Sequence, residues 1–101
     1  MSEGYIQGKI LNYLLSRGAY IANIHGDEYH KSIPDLLICY KGRFLGFELK
    51  DVNGQLRPGQ RKHLRRIQKA QGIGEAVRSM QRVKDILETI NNGEVWVNGS
   101  Y

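Results

Sequence analysis

The spacing of apolar residues changes several times along the chain, and each change marks an element. Ile6, Ile10 and Leu14 recur at four-residue intervals. That spacing predicts an amphipathic helix over 3–17, with Gly18 placed to end it. Tyr20-Ile-Ala-Asn-Ile24 has the composition of a short strand, and a polar loop runs from His25 to Pro34. Asp35 to Tyr40 is apolar on both faces, the pattern of a central strand, whereas Arg43 to Lys50 alternates with Leu45, Phe47 and Leu49 on one side. A second helix is predicted over 59–72, with Leu64, Ile67 and Gln71 inward, Gln60 opening the inward stripe and Gly72 stopping it. Gly74 to Arg78 reads as another short strand. Met80, Val83, Ile86, Leu87 and Ile90 then form the core stripe of a third helix, capped by Ser79 and closed by Gly93. The tail Glu94-Val-Trp-Val-Asn98 reads either as a last strand or as an interface patch, with Trp96 and Tyr101 covering the core edge or meeting a partner.

Lys41-Gly42, between the two central strands, has the length of a tight hairpin loop. With that loop Tyr40 faces Arg43, and following the register outward brings Asp35 opposite Glu48. Directly opposed residues hold their Cβ atoms about 4.5–5.5 Å apart, so two carboxylates there repel. Lys50 shares the face of Glu48, because strand side chains repeat every two residues. One ammonium does not neutralise two carboxylates, whereas a hard divalent cation such as Mg²⁺ does, completing its shell with water and phosphate oxygens. Such an ion polarises a phosphoryl oxygen and acidifies a bound water. Lys50 is then available to stabilise transition-state charge or to orient the attacking water. The competing reading is a surface salt-bridge cluster. Against it, Asp35, Glu48 and Lys50 flank Leu36, Leu37, Ile38, Phe47 and Leu49, the most apolar stretch of the chain, and ionisable groups set within a core are enriched at functional sites. Glu3 falls angularly between Ile10 and Leu14 on the first helix. It either points toward this site or serves as an acidic residue favoured at a helix N-terminus.

Composition narrows the picture. A length of 101 residues fits one domain, 1–101. A hydrophobic share of 41% with 25% charged residues excludes wholesale disorder. No apolar run approaches the roughly 20 residues that span a bilayer, and Met-Ser-Glu-Gly-Tyr lacks the order of a signal peptide, so no membrane and a cytoplasmic location are expected. The one cysteine excludes an intrachain disulfide, and Cys39, inside an apolar run, reads as a small buried hydrophobe. A zinc site from His25 and His30 with Asp27 and Glu28 is disfavoured, since structural zinc sites lean on cysteine.

Fifteen Lys and Arg against ten Asp and Glu give a net charge of +5, which favours polyanionic partners. The charge is concentrated in Arg57, Arg61, Lys62, Arg65, Arg66 and Lys69, with no acidic residue among them. This one-sign stripe repels itself without an anionic partner and is the candidate phosphate-contacting face, His63 joining it. Gly46, inside a strand, either relieves crowding beneath a helix or lets a DNA backbone approach.

Pro34-Asp35 followed by Glu48-Leu49-Lys50 matches the P-D-x(n)-(D/E)-x-K signature of restriction-endonuclease-like nucleases. Together with Glu3, Leu36-Leu37, Gly46-Phe47, Gln60 and Val77-Arg78-Ser79, the chain resembles the virus-type replication-repair nuclease (VRR-NUC) family, in its stand-alone phage type, over nearly its whole length. The resemblance implies an α/β fold with the PD-(D/E)xK core, a mixed sheet of four or five strands flanked by helices. It implies metal-dependent hydrolysis of DNA phosphodiesters by a structure-specific endonuclease, acting as a homodimer on Holliday-junction-like or branched DNA in replication, repair or recombination. Carried over by residue, Asp35, Glu48 and the Leu49 backbone carbonyl ligate Mg²⁺ or Mn²⁺, and Lys50 is the catalytic lysine. Glu3 is the first-helix acid, reaching the metal through water, and Gln60 is the helix glutamine. No nucleotide cofactor is implied, and a phage-encoded copy would work in the host cytoplasm. Ser32 departs from a glycine common in the family and brings a hydroxyl near phosphate. The competing classes are a non-catalytic DNA-binding module with the same fold, whose mark is a broken motif, and an accessory protein that binds a partner through the basic helix. Here Asp35, Glu48 and Lys50 are all present.

Overall fold

The computed structural model describes residues 3–23 and 32–101, apart from the side chain of Glu3. Helix α1 spans Glu3–Ser16, strand β1 Tyr20–Asn23, β2 Leu36–Tyr40, β3 Arg43–Leu49, helix α2 Pro58–Lys69, β4 Ile73–Val77 and α3 Met80–Asn91. The strands form one mixed sheet in the order β1-β2-β3-β4, antiparallel across the first two junctions and parallel between β3 and β4. A parallel pair cannot be joined by a hairpin, and α2 is the crossover it requires. This is the mixed α/β architecture expected, with four strands.

Local chemistry fixes the turns. Lys41 and Gly42 adopt φ of 49° and 79°, the pair of left-handed residues that a two-residue hairpin loop demands. The register that follows, from Tyr40↔Arg43 to Leu36↔Phe47, is the predicted one. Gly18, at φ 83°, ends α1. Ser79 caps α3, its hydroxyl accepting from the Arg82 N–H at 3.3 Å.

Alternation along β3 sorts side chains between two layers. Leu45, Phe47 and Leu49 join Leu36, Ile38, Ile73 and Val77 in a core closed by Ile6, Ile10 and Leu14 of α1 and Val83, Ile86 and Leu87 of α3. The other face of β3 and β4 carries α2. A Cβ at Gly46 would collide with the Cδ1 of Ile67, and one at Gly74 would lie 2.6 Å from the Leu64 carbonyl oxygen. Gly46 therefore relieves crowding beneath a helix.

Several expectations are corrected. Helix α2 stops at Lys69, and Gln71, expected inward, is exposed with φ 72°. The reversal into β4 begins one turn early, with the Gly72 N–H bonded to the Ile67 carbonyl at 2.9 Å. Gln68 turns inward in its place, donating to the carbonyls of Gly74 and Gly99 at 2.8 and 2.9 Å. Cys39 is exposed, not buried. Only Leu36, Ile38 and Tyr40 of β2 are buried, because α2 packs on β3 and β4 and leaves the Leu37 and Cys39 face of β2 uncovered by a helix among the described residues. The fourth strand runs Ile73–Val77, one residue earlier than expected, and the tail forms no strand among the described residues. Ile24 and the loop holding His25, Asp27, Glu28 and His30 lie outside the described residues.

Candidate active site

Because Phe47 and Leu49 face the α1 and α3 layer, Glu48 must face α2, and it is 4% exposed beneath the first turn of that helix. Asp35 occupies the bend just before β2. Continuing the register one step past Leu36↔Phe47 sets it opposite Glu48. Its Oδ2 accepts the Leu49 N–H at 2.8 Å, so a side chain extends the ladder where Pro34 begins to lead the chain away, and the carboxylate is held at the strand end.

A buried carboxylate is costly unless hydrogen-bonded, and Gln60 and Lys50 are among the residues that meet Glu48. The Gln60 amide donates to its Oε1 at 3.0 Å. The Lys50 ammonium stands 4.0 Å from the same oxygen, the two side chains being 16% and 5% exposed. Local sequence explains the position of Gln60. Arg57 is the N-cap of α2, Pro58 opens the helix with its fixed φ, and the residue three after the cap is placed to reach back. Gln60 does so, its Oε1 accepting the Arg57 N–H at 2.9 Å, while its other end holds Glu48. Lys50 is tied at its backbone, its N–H donating to the Val77 carbonyl at 3.0 Å.

The structure brings Asp35, Glu48, Leu49, Lys50 and Gln60 together; the side chain of Glu3 lies outside the described residues. Ser32 packs its hydroxyl against Gly59 in the first turn of α2, an approach that any Cβ at residue 59 would block. Of the basic residues, Arg57, Lys62, Arg65, Arg66 and Lys69 are exposed and Arg61 is half-buried, but Arg65 is engaged, donating to the main-chain oxygen of Tyr101 at 2.9 Å. Burial, reinforced by Arg66 and Lys62, lowers the His63 pKa below the usual imidazole range. The shift disfavours a positive charge on His63 beside the cations of the stripe.

Two features escaped the sequence reading. Arg78 donates from Nη1 to the carbonyls of Asp51 and Gly54, both at 2.7 Å, fastening the loop that joins Lys50 to α2. Glu75, fully buried in β4, accepts four bonds: from Trp96 Nε1 at 3.0 Å, Gly99 N–H at 2.6 Å, Tyr101 hydroxyl at 2.6 Å and Arg82 Nη2 at 3.0 Å. Burial pushes this carboxyl upward, but the bonds from Tyr101, Trp96, Gly99 and Arg82 outweigh it, and its pKa ends below the ordinary range. Burial and the bond to Glu75 raise that of Tyr101. A lone glutamate in an otherwise apolar strand, Ile73-Gly-Glu-Ala-Val77, was the available signal. This cluster lies on the α1 and α3 side of the sheet, away from Glu48, and anchors the tail that Trp96 and Tyr101 belong to.

The donor set at the Asp35 end is two carboxylates, and among the described residues no group of three or more His, Cys, Asp and Glu stands together. Hard oxygen donors on one face suit a hard cation that takes few protein ligands. No family model and no curated protein matches the chain. A solved structure described as a VRR_NUC domain is similar to it, with a TM-score of 0.71 and 25% identity over 85% of this chain and 94% of that one. The chain thus has a VRR_NUC-type, PD-(D/E)xK-like fold, and the signature residues Asp35, Glu48 and Lys50 gather at one end of its sheet. Among the described residues no helix is long and apolar enough to cross a membrane.

Proposed function

We propose that this protein is a divalent-metal-dependent endodeoxyribonuclease that hydrolyses phosphodiester bonds in branched DNA, working as a homodimer. Likeness to a VRR_NUC domain supports the nuclease class and its DNA partner. The observation that carries the chemistry is Glu48, buried opposite Asp35 one step past the pair Leu36↔Phe47 and met by both Gln60 and Lys50. Asp35 and Glu48, with the Leu49 carbonyl, would hold Mg²⁺ or Mn²⁺, and Glu3 would reach it through water. When bound, the ion polarises the phosphoryl oxygen and makes hydroxide available near neutral pH. The residues do the rest. Gln60 fixes the rotamer of Glu48, and the Leu49 N–H fixes that of Asp35. Lys50, with one ammonium near Glu48, stabilises the charge that grows on phosphorus-bound oxygens as water adds and the ester P–O bond breaks. Arg57, Arg61, Lys62, Arg66 and Lys69 hold the phosphate backbone, and Ser32, packed against Gly59 in the first turn of α2, adds a hydroxyl to that contact. Two copies supply the two sites that symmetric cutting of two strands needs.

The test is a cleavage panel of four-way junction, flap, splayed arm and plain duplex with Mg²⁺, Mn²⁺ or chelator, beside light scattering. Cleavage of branched forms with metal is expected, with loss in chelator and in Asp35→Asn and Lys50→Ala while DNA binding persists. Continued cutting by Asp35→Asn overturns the site, and binding without cutting by the parent overturns the enzyme. A monomer that cuts both strands in concert overturns the homodimer.

A further inference from the structure

The half of the sheet that α2 leaves uncovered among the described residues carries a row of side chains with its own chemistry. Tyr20 pairs with Cys39 and Cys39 with Phe44, so these three residues line up across β1, β2 and β3. All three sit on the face that bears Gly46 and Glu48. The aromatic rings are exposed, Tyr20 at 74% and Phe44 at 47%. Two strand spacings set them about 10 Å apart. Between them runs a groove of about 280 Å³ that Ala22 and Leu37 also line. Phe44 is in addition a wall of a second groove, of about 380 Å³, shared with His63, Arg66 and Ile67 of α2. On β2 the same face runs from Cys39 past half-buried Leu37 to Asp35, four steps or about 13 Å at the rise of a strand, whereas on β3 Ile67 covers Gly46 between Phe44 and Glu48. Among the described residues this face is therefore an apolar floor that runs along β2 toward Asp35, with a guanidinium on its rim and no acidic residue lining either groove.

Duplex DNA hides the faces of its bases, so exposed aromatic rings offer it nothing. An unpaired strand presents both bases and phosphates, and aromatic platforms beside a cationic rim are the surface that takes it. A second copy of this chain suits the face less well, since the same patch on its partner offers Arg66 no described acidic residue to pair with. We propose that the open half of the sheet binds an unpaired stretch of DNA, with bases stacked on Phe44 and Tyr20 and phosphates turned to Arg66, and leads it toward Asp35 and Glu48. Its direction rests on the nuclease reading, which it deepens: the substrate is DNA with a single-stranded arm.

The full chain in chelator, so that nothing is cut, is titrated into labelled oligothymidylate and into a duplex of equal length. A second oligonucleotide carrying 2-aminopurine reports stacking by quenching. Phe44→Leu and Tyr20→Leu keep an apolar side chain and remove the ring, Phe44→Tyr restores one, and thermal unfolding checks each fold. The expected result is single-strand binding weakened about tenfold by each leucine variant and kept by Phe44→Tyr, with quenching lost in parallel and duplex affinity unchanged. Leucine variants that bind oligothymidylate as the parent does overturn the proposal. So does a parent dimer that the leucine variants turn monomeric, which would make this face a contact between copies. If the parent binds no DNA at all, the nuclease reading fails as well; if it binds duplex while the leucine variants behave as parent, only this inference fails.

Discussion

Glu75→Gln should destabilise the protein by about 3 kcal/mol, although it changes one atom. The carboxylate has no exposed surface and every partner is a donor: Trp96 and Gly99 on Oε1, Tyr101 and Arg82 on Oε2. The amide can offer its oxygen to only one pair. With that oxygen toward Trp96 and Gly99, two charge-assisted bonds fall to neutral strength, a loss of about 1 kcal/mol each, and the NH₂ opposes Arg82, costing that bond as well. The Tyr101 hydroxyl can turn to accept, and Arg82, 40% exposed in its side chain, can swing into water, which limits the total. For a domain of this size 3 kcal/mol lowers Tm by about 12–24 °C. Thermal and urea unfolding measure it, and a variant within about 0.5 kcal/mol of the parent would refute the reasoning. The pH dependence is a second check. The native Glu75 pKa is depressed, so its contribution is fully present above the ordinary carboxylate value near 4.5 and is lost as pH falls through the native value. The gap between parent and Glu75→Gln should therefore close in acid and hold at neutral pH.

Three other outcomes follow from the packing and charge described. Gly46→Val should cost about 1–3 kcal/mol because its side chain meets Ile67, and Ile67→Ala in the same chain should recover part of that in urea unfolding. Gln60→Leu should lower the cleavage rate more than DNA affinity, since it releases both Glu48 and the Arg57 N–H; single-turnover kinetics beside anisotropy separate the two. Duplex affinity should fall with salt at a logarithmic slope of about −4 to −5, as five contacts from Arg57, Arg61, Lys62, Arg66 and Lys69 require, and a flat dependence would remove α2 from the interface.

The parts of the fold that were legible in the sequence rest on local rules. Lys41-Gly42 can close only a tight hairpin, and the register that this loop sets brings Asp35 opposite Glu48. Gln60 is legible because it opens the inward stripe of α2 ahead of Leu64 and Ile67 and matches the helix glutamine that the resemblance implies. What escaped depends on partners remote in sequence. An apolar run such as Leu36–Tyr40 carries no sign of which face will lack a covering helix, so Cys39 was misplaced. Arg78 grips main-chain carbonyls, which any residue supplies. Glu75 gathers donors from residues 82 to 101 that no spacing links to it. Helix α2 ended early because a turn bonded to Ile67, not the hydrophobic stripe, decides where the chain reverses.

The Ala76 N–H lies on the side of β4 away from β3, and it donates to the Tyr101 hydroxyl at 3.0 Å. A peptide proton in a sheet is thus sheltered by a side chain of the tail instead of by another strand. Its exchange with solvent deuterium should then run on a clock separate from that of neighbouring amides in the β3–β4 ladder: opening of the tail alone releases it, whereas the ladder protons wait for larger openings. One resonance would report whether the tail is docked in a molecule that otherwise remains folded.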